Sequence, residues 1–183
     1  MRDCKRKPLA EEAPVGKAGQ RIVAIGRYFS EMLDPSMNWD DVAAVVRNWK
    51  GQFCLKGVMS VRDAKRAAEI GCTGIVLSNH GGRQLDGSRS VFDQLAEIVD
   101  AVGDRLDVMM DGGIQRGTHV LKALSLGAKV VGIGRFYLFP LAAAGQAGVE
   151  RALGLMRTEI ERGMKLMGCA AISELSRENL RFR

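Results

Sequence analysis

The residues best suited to chemistry in this chain gather at a few glycine-rich turns. His80 and Arg83 share the run from Ser78 to Asp86, which reads Ser-Asn-His-Gly-Gly-Arg-Gln-Leu-Asp. Imidazole is the side chain whose ordinary titration lies nearest neutrality, so it suits proton transfer, and the two glycines beside it let the backbone turn sharply toward a ligand. The plainer reading of His80 is a loop histidine satisfied by a backbone carbonyl. Arg83 could grip a carboxylate through two parallel hydrogen bonds, or it could be a surface arginine paired with Asp86. Asp86 itself is expected to hold the loop.

Three further points carry charge or bare backbone. Lys56 ends an apolar run, where a cation needs a reason, unless it only snorkels to the surface. The stretch Asp111, Gly112, Gly113, Ile114 and Gln115, and the pair Gly134 and Arg135, both follow apolar runs. Glycines there would bring N–H groups close to phosphate oxygens, with Arg135 adding charge. Ser78 reads as a strand-end serine and His119 as a solvated or satisfied helix residue. With only two histidines and no Cys-x-x-Cys spacing among four cysteines, no metal site is expected. Cys54 and Cys72, in or beside apolar runs, read as buried free thiols.

These residues need elements to place them, and the sequence alternates helix and strand patterns. Asn38 to Asp41 forms an N-cap with an acid at the third position, opening a helix with Trp39, Val42, Val46 and Trp49 along one side. Apolar strands are expected over 53–58, 73–78, 107–111 and 129–133. Between them, Ser60 and Ser90 cap helices that stop at Gly71 and Gly103, and a helix from about Thr118 stops at Gly127. A long amphipathic helix is expected over 148–167, with Met156, Met164 and Met167 as core packing.

Strands that are apolar almost throughout argue for a parallel sheet covered on both faces, which fits either a doubly wound sheet or a (β/α)8 barrel. Polar residues cluster at the C-terminal end of every strand (Lys56; Ser78 and His80; Asp111; Arg135), and a (β/α)8 barrel points such ends at one shared site. A whole barrel takes roughly 250 residues and eight strands. The expectation is therefore an α/β fold made of four βα units, the C-terminal half of a (β/α)8 TIM barrel and incomplete as a single chain.

At this point the motifs resemble those of the FMN-dependent 2-hydroxy-acid dehydrogenases and oxidases, the lactate, glycolate and mandelate enzymes. The resemblance is carried in order by Leu55–Gly57, Ser78–Asp86, Asp111–Gly113, Leu121–Gly127 and Ile133–Arg135, from about Asp34 to Leu180. It implies FMN as cofactor, His80 as the base that takes a proton from a small L-2-hydroxy acid, and Arg83 as the carboxylate ligand. It also implies that Lys56 stabilises the reduced flavin, that Ser78 donates to the flavin edge, and that Asp111, Gly112, Gly113, Ile114, Gln115, Gly134 and Arg135 bind the cofactor. One departure is Gln115, where the family has arginine; the adjacent Arg116 is a candidate substitute. The family's first half would bring the tyrosines and second arginine that meet the substrate and the aspartate that orients the histidine, and neither Tyr28 nor Tyr137 has a matching context.

Composition sets the remaining expectations. Hydrophobic content of 46% with 26% charged residues is that of a globular protein. The net charge of +6 lies largely at the two ends, and no basic stripe with interleaved aromatics supports nucleic-acid binding. Residues 1–33 read as a basic, flexible tail and 34–183 as the half-barrel domain. No leader pattern or membrane span is visible, so a cytoplasmic protein is expected, with peripheral membrane association as an alternative. Open strand edges point to a homo-oligomer or to edge pairing with another chain. Oxygen, a quinone and a cytochrome all remain candidate electron acceptors. The competing reading is a catalytically silent half barrel that binds phosphate groups or assembles with a partner.

Overall fold

The computed structural model describes Tyr28 and residues 32–181. The tail expected over 1–33 thus lies almost wholly outside the described residues, as does Cys4. The chain divides into two compact units, residues 1–42 and 43–183. In the first, Asp34 Oδ1 accepts from both N and Oγ of Ser36, at 2.9 and 2.6 Å. Asn38 and Asp41 then cap a helix reciprocally: Asp40 N–H donates to Asn38 Oδ1 at 2.8 Å, and Asn38 N–H donates to Asp41 Oδ2 at 3.0 Å.

That helix, α1, covers Trp39–Trp49. There follow β1 (Cys54–Val58), α2 (Val61–Glu69), β2 (Gly74–Leu77), α3 (Val91–Val102), β3 (Asp107–Asp111), α4 (Gly117–Ser125), β4 (Val130–Gly132) and α5 (Arg135–Met167). Ser60 caps α2 by accepting from Asp63 N–H at 3.1 Å. Gly71 and Gly127 sit just past α2 and α4 with φ of +90° and +101°, the conformation a helix stop of this kind requires. Ser90 stands at the N-cap of α3 but makes no side-chain cap there, and Gly103 remains right-handed at φ −65°.

The four strands form one parallel sheet in the order β1-β2-β3-β4. Ile75, Leu77, Val108 and Met110 point to one face and are 0–1% exposed beneath the helices. The opposite face carries Cys54 and, aligned with one another by the register, Lys56, Val76, Met109 and Val130. Val130 is 53% exposed and Cys54 is exposed as well. The expectation of a sheet covered on both faces is therefore corrected: among the described residues only one face is covered. The apolar strand pattern arises because a barrel's lumenal face is also lined by apolar side chains. Cys54 shares that correction, whereas Cys72 is buried, and burial pushes its thiol up.

A second correction concerns the last helix. It begins at Arg135, far ahead of the expected residue 148, and breaks at Ala144 and Gly145, the latter with φ +56°. Pro140 and Gly145 give the stretch the look of a loop, but the chain instead forms two helical segments joined at a sharp break. Gly148 makes this possible, because its bare Cα lies against the Pro140 carbonyl. Met156 is buried, while Met164 and Met167 are only half-buried.

Candidate active site

The polar strand ends meet as one hydrogen-bonded network on the uncovered face. Lys56 Nζ donates to Ser78 Oγ at 2.8 Å and pairs with Asp111 Oδ2 at 2.9 Å. Ser78 Oγ donates in turn to Asp111 Oδ1 at 2.5 Å and accepts the His80 backbone N–H at 3.2 Å. A parallel register puts three strand termini side by side, so residues 22 and 33 positions apart become neighbours. The lysine side chain is half exposed, and Asp111 is 27% exposed. Its carboxylate fixes the ammonium at the rim of the sheet. Ser78 is 1% exposed and its hydroxyl proton is committed to Asp111. In this arrangement the serine anchors Lys56 and the backbone of His80.

Gly57 prepares the place for the histidine. The β1–β2 register slips between Lys56 and Val58, and Gly57 takes φ +93° at that bulge. A Cβ on Gly57 would lie 3.2 Å from His80 Nε2, so the imidazole rests over the bare Cα. His80 itself has φ +53°, a left-handed backbone that costs a non-glycine residue about 1–2 kcal/mol. Its ring has no hydrogen-bond partner among the described residues. Gly81 follows at φ +69°, and its carbonyl accepts from Arg135 Nη2 at 2.9 Å.

Arg83 is exposed at the end of this short 3-10 turn and has no ion pair among the described residues, so the Asp86 pairing does not form. Asp86 only accepts from Gly87 N–H at 3.0 Å, which is a local turn rather than a brace for the loop.

A cavity of about 640 Å³, in the range of cofactor sites, runs from Lys56, His80 and Arg83 across Asp111–Gln115 to Gly134 and Arg135. Every expected site residue lines it except Ser78, which lies beneath. The lining residues that sequence reasoning missed include Gly132, Phe136, Tyr137 and Leu138; the last three escape it because the start of α5 looks like a loop.

The far end of the cavity suits an anion. Gly112 and Gly113 have φ of +106° and +74°, and at Gly113 and Gly134 a Cβ would meet nothing within 4 Å, so bare backbone faces open space. The N-terminus of α5 carries no side-chain cap at Gly134. By contrast, the N-terminus of α4 is closed: Glu159 Oε2 accepts Gly117 N–H at 2.8 Å. The same carboxylate holds Arg116 at 2.7–3.1 Å, and the guanidinium beside it keeps Glu159 below the usual carboxylate range. Arg116 therefore faces α5 and does not line the cavity, which corrects its candidacy as a substitute for arginine at position 115. Gln115 lines the cavity, and its backbone N–H donates to His119 Nδ1 at 3.3 Å, satisfying the helix histidine as expected. Among the described residues no cluster of His, Cys, Asp or Glu could hold a metal ion.

Comparisons with known proteins agree on the same residues' fold and lineage. The chain is 47% identical over 154 residues to the cytochrome-linked L-lactate dehydrogenase of Saccharomyces cerevisiae, a match covering 81% of this chain and 26% of the yeast protein. It is 45% identical to an L-lactate oxidase of Nostoc sp., covering 81% of this chain and 40% of that one. Among solved structures, the flavin-binding domain of baker's yeast flavocytochrome b2 superposes with a TM-score of 0.80 at 43% identity, covering 89% of this chain and 43% of that one. The monotopic membrane protein (S)-mandelate dehydrogenase superposes with a TM-score of 0.81 at 38% identity, covering 86% and 42%. The chain thus spans less than half the length of these relatives, and its four βα units correspond to part of their barrels. The family model described as FMN-dependent dehydrogenase matches residues 3–182, and this chain belongs to that family.

Proposed function

We propose that residues 34–183 supply the catalytic and phosphate-binding side of an FMN-dependent oxidation of a small L-2-hydroxy acid, lactate-like, to the 2-oxo acid. The observation that carries the reading is the convergence of Lys56, His80, Arg83 and Arg135 on one cavity with a glycine-lined far end. FMN fits these residues: Gly112, Gly113, Ile114, Gln115, Gly134 and Arg135 would hold its phosphate and chain, and Lys56 with Asp111 would meet the ring end. When bound, FMN supplies the acceptor for the two electrons leaving the substrate α-carbon.

The remaining work falls to this chain's own side chains. Arg83, unpaired and exposed toward the cavity, binds the carboxylate through its planar fork and so orients the α-carbon. His80, whose ring makes no hydrogen bond among the described residues, takes the proton released from the hydroxyl or the α-carbon. Lys56, fixed by Asp111 and Ser78, presents a localised positive charge where negative charge develops.

The test is reconstitution of the purified chain with FMN, followed by anaerobic addition of lactate, glycolate or mandelate. Retained yellow absorbance that bleaches with substrate supports the proposal, and a chain that stays colourless overturns it. A silent half barrel is the second reading, favoured by the uncovered sheet face; it predicts that phosphate binds without bleaching. Reoxidation by oxygen, a quinone or a cytochrome identifies the acceptor. The open edges of β1 and β4 support self-association or edge pairing, which sedimentation measures. Among the described residues no helix is long and apolar enough to cross a membrane. Peripheral membrane contact is tested by cosedimentation with vesicles, and a cytoplasmic location by cell fractionation.

A further inference from the structure

Arg135 stands where two parts of the cavity meet. It opens α5 beside Gly134 and lines the far, anion-suited end, yet its Nη2 reaches back 54 residues to the carbonyl of Gly81 at 2.9 Å. The guanidinium also lies on the bare Cα of Gly81, since a Cβ there would sit 3.1 Å from Nη2. Gly81 joins His80 to Gly82 and Arg83, so this bond grips the middle of the chemically important turn.

The other hydrogen bonds of that turn are local. His80 N–H reaches Ser78 Oγ at 3.2 Å, Gly82 N–H reaches Asn79 O at 3.0 Å, and Arg83 N–H reaches His80 O at 3.4 Å. Among the described residues, the bond from Arg135 alone ties His80–Arg83 to another strand–helix unit. His80 meanwhile holds a left-handed backbone, a conformation that persists only when its surroundings over-determine it. A neutral carbonyl is also a weaker acceptor for guanidinium than a phosphate oxygen.

We propose that Arg135 is a positioning residue that couples the two ends of the cavity: an anion at Gly113 and Gly134 draws the guanidinium from the Gly81 carbonyl and resets the turn that carries His80 and Arg83. This rests on the phosphate end proposed above. The coupling makes the setting of the base and the carboxylate ligand depend on occupancy of the phosphate end.

The chain's two histidines report the two ends separately. His119 senses the anion end through Gln115 N–H, and His80 senses the turn. The experiment follows both imidazole ring signals by NMR in the full chain at fixed pH while inorganic phosphate is added, with His119→Asn used for assignment. In the wild type both signals should move with one phosphate dependence. In Arg135→Lys, which keeps the charge but loses the fork, His119 should still respond and His80 should not. Without phosphate, Arg135→Gln should shift the His80 signal and leave that of His119 in place.

A His80 signal that stays still while wild-type His119 moves overturns the coupling and leaves the anion end standing. The coupling is overturned in the same way if His80 moves equally in Arg135→Lys. If neither ring responds in the wild type, the phosphate end falls and the coupling with it. An unchanged His80 signal in Arg135→Gln removes the tether itself.

Discussion

Replacing Gly57 with alanine should disturb the histidine more than the fold. Gly57 has φ +93°, so an alanine there carries a backbone cost of about 1–2 kcal/mol wherever its methyl group points. Here the methyl would also stand 3.2 Å from His80 Nε2, tighter than the roughly 3.5–4.0 Å of a relaxed contact. The ring, being a side chain with open cavity on its other side, should yield by a few tenths of an ångström. Gly87→Ala is the control: Gly87 has φ +71° and nothing within 4 Å of the added carbon, so it carries only the backbone cost. Urea unfolding should therefore show losses of about 1–2 kcal/mol for both variants. The His80 ring signal should shift in Gly57→Ala alone, with weaker substrate turnover in the reconstituted protein. If Gly57→Ala leaves the ring signal where the wild type has it, the imidazole does not rest on Gly57 and the contact is refuted.

Other consequences can be checked with single substitutions. Arg83→Ala should leave stability within about 0.5 kcal/mol, since the side chain is exposed and unpaired, but lower kcat/KM by roughly 10–100-fold through the lost charge-assisted bonds. Denaturation midpoints and steady-state assays with FMN separate the two effects. Glu159 and Asp100 have carboxyl groups held below their usual range by Arg116 and Arg177 respectively. Their stabilising contribution is thus complete above the ordinary carboxylate range and is lost as pH falls through the depressed folded values. Glu159→Gln or Asp100→Asn should lower stability near neutrality and flatten its decline in acid, seen as urea midpoints across pH. Gly117→Ala should cost more than Gly163→Ala by thermal unfolding. An added carbon on Gly117 meets backbone, Ile160 N at 2.7 Å and Met156 O at 2.9 Å, whereas on Gly163 it meets only the tip of Leu121, which can turn aside.

What the sequence makes legible is whatever depends on near neighbours. The strand over 107–111 and the stops at Gly71 and Gly127 follow from short patterns of apolar residues and glycine, and the structure has them at those positions. The residues lining the cavity are legible because a parallel sheet aims all its strand ends one way. Partnerships across the fold are not. Nothing near Arg116 announces Glu159, which lies 43 residues away on another helix, and the proximity of Arg116 to Gln115 misleads for that reason. The motif around Ser78 suggests a ligand donor, but its hydroxyl is claimed by a carboxylate 33 residues on. Nor can hydropathy reveal the uncovered face, since Val76, Met109 and Val130 look as apolar as the buried Ile75 and Val108 on the other side.

The same register explains why the polar groups gather at the strand ends. Cys54, Gly74 and Asp107 align across the sheet, as do Lys56, Val76, Met109 and Val130, so strict alternation keeps Lys56 and Asp111 on the lumenal face. Ser78, one residue past buried Leu77, falls on that face too and closes the gap between lysine and aspartate. Shifting β1 or β3 by a residue would turn its polar end under the helices and strand a charge in the core. The buried side of Ile75, Leu77, Val108 and Met110 thus specifies the site as firmly as it stabilises the sheet. The geometry of the strand ends is fixed by packing on the opposite face, and the bulge at Gly57 is the one adjustment, setting His80 over the backbone next to Lys56.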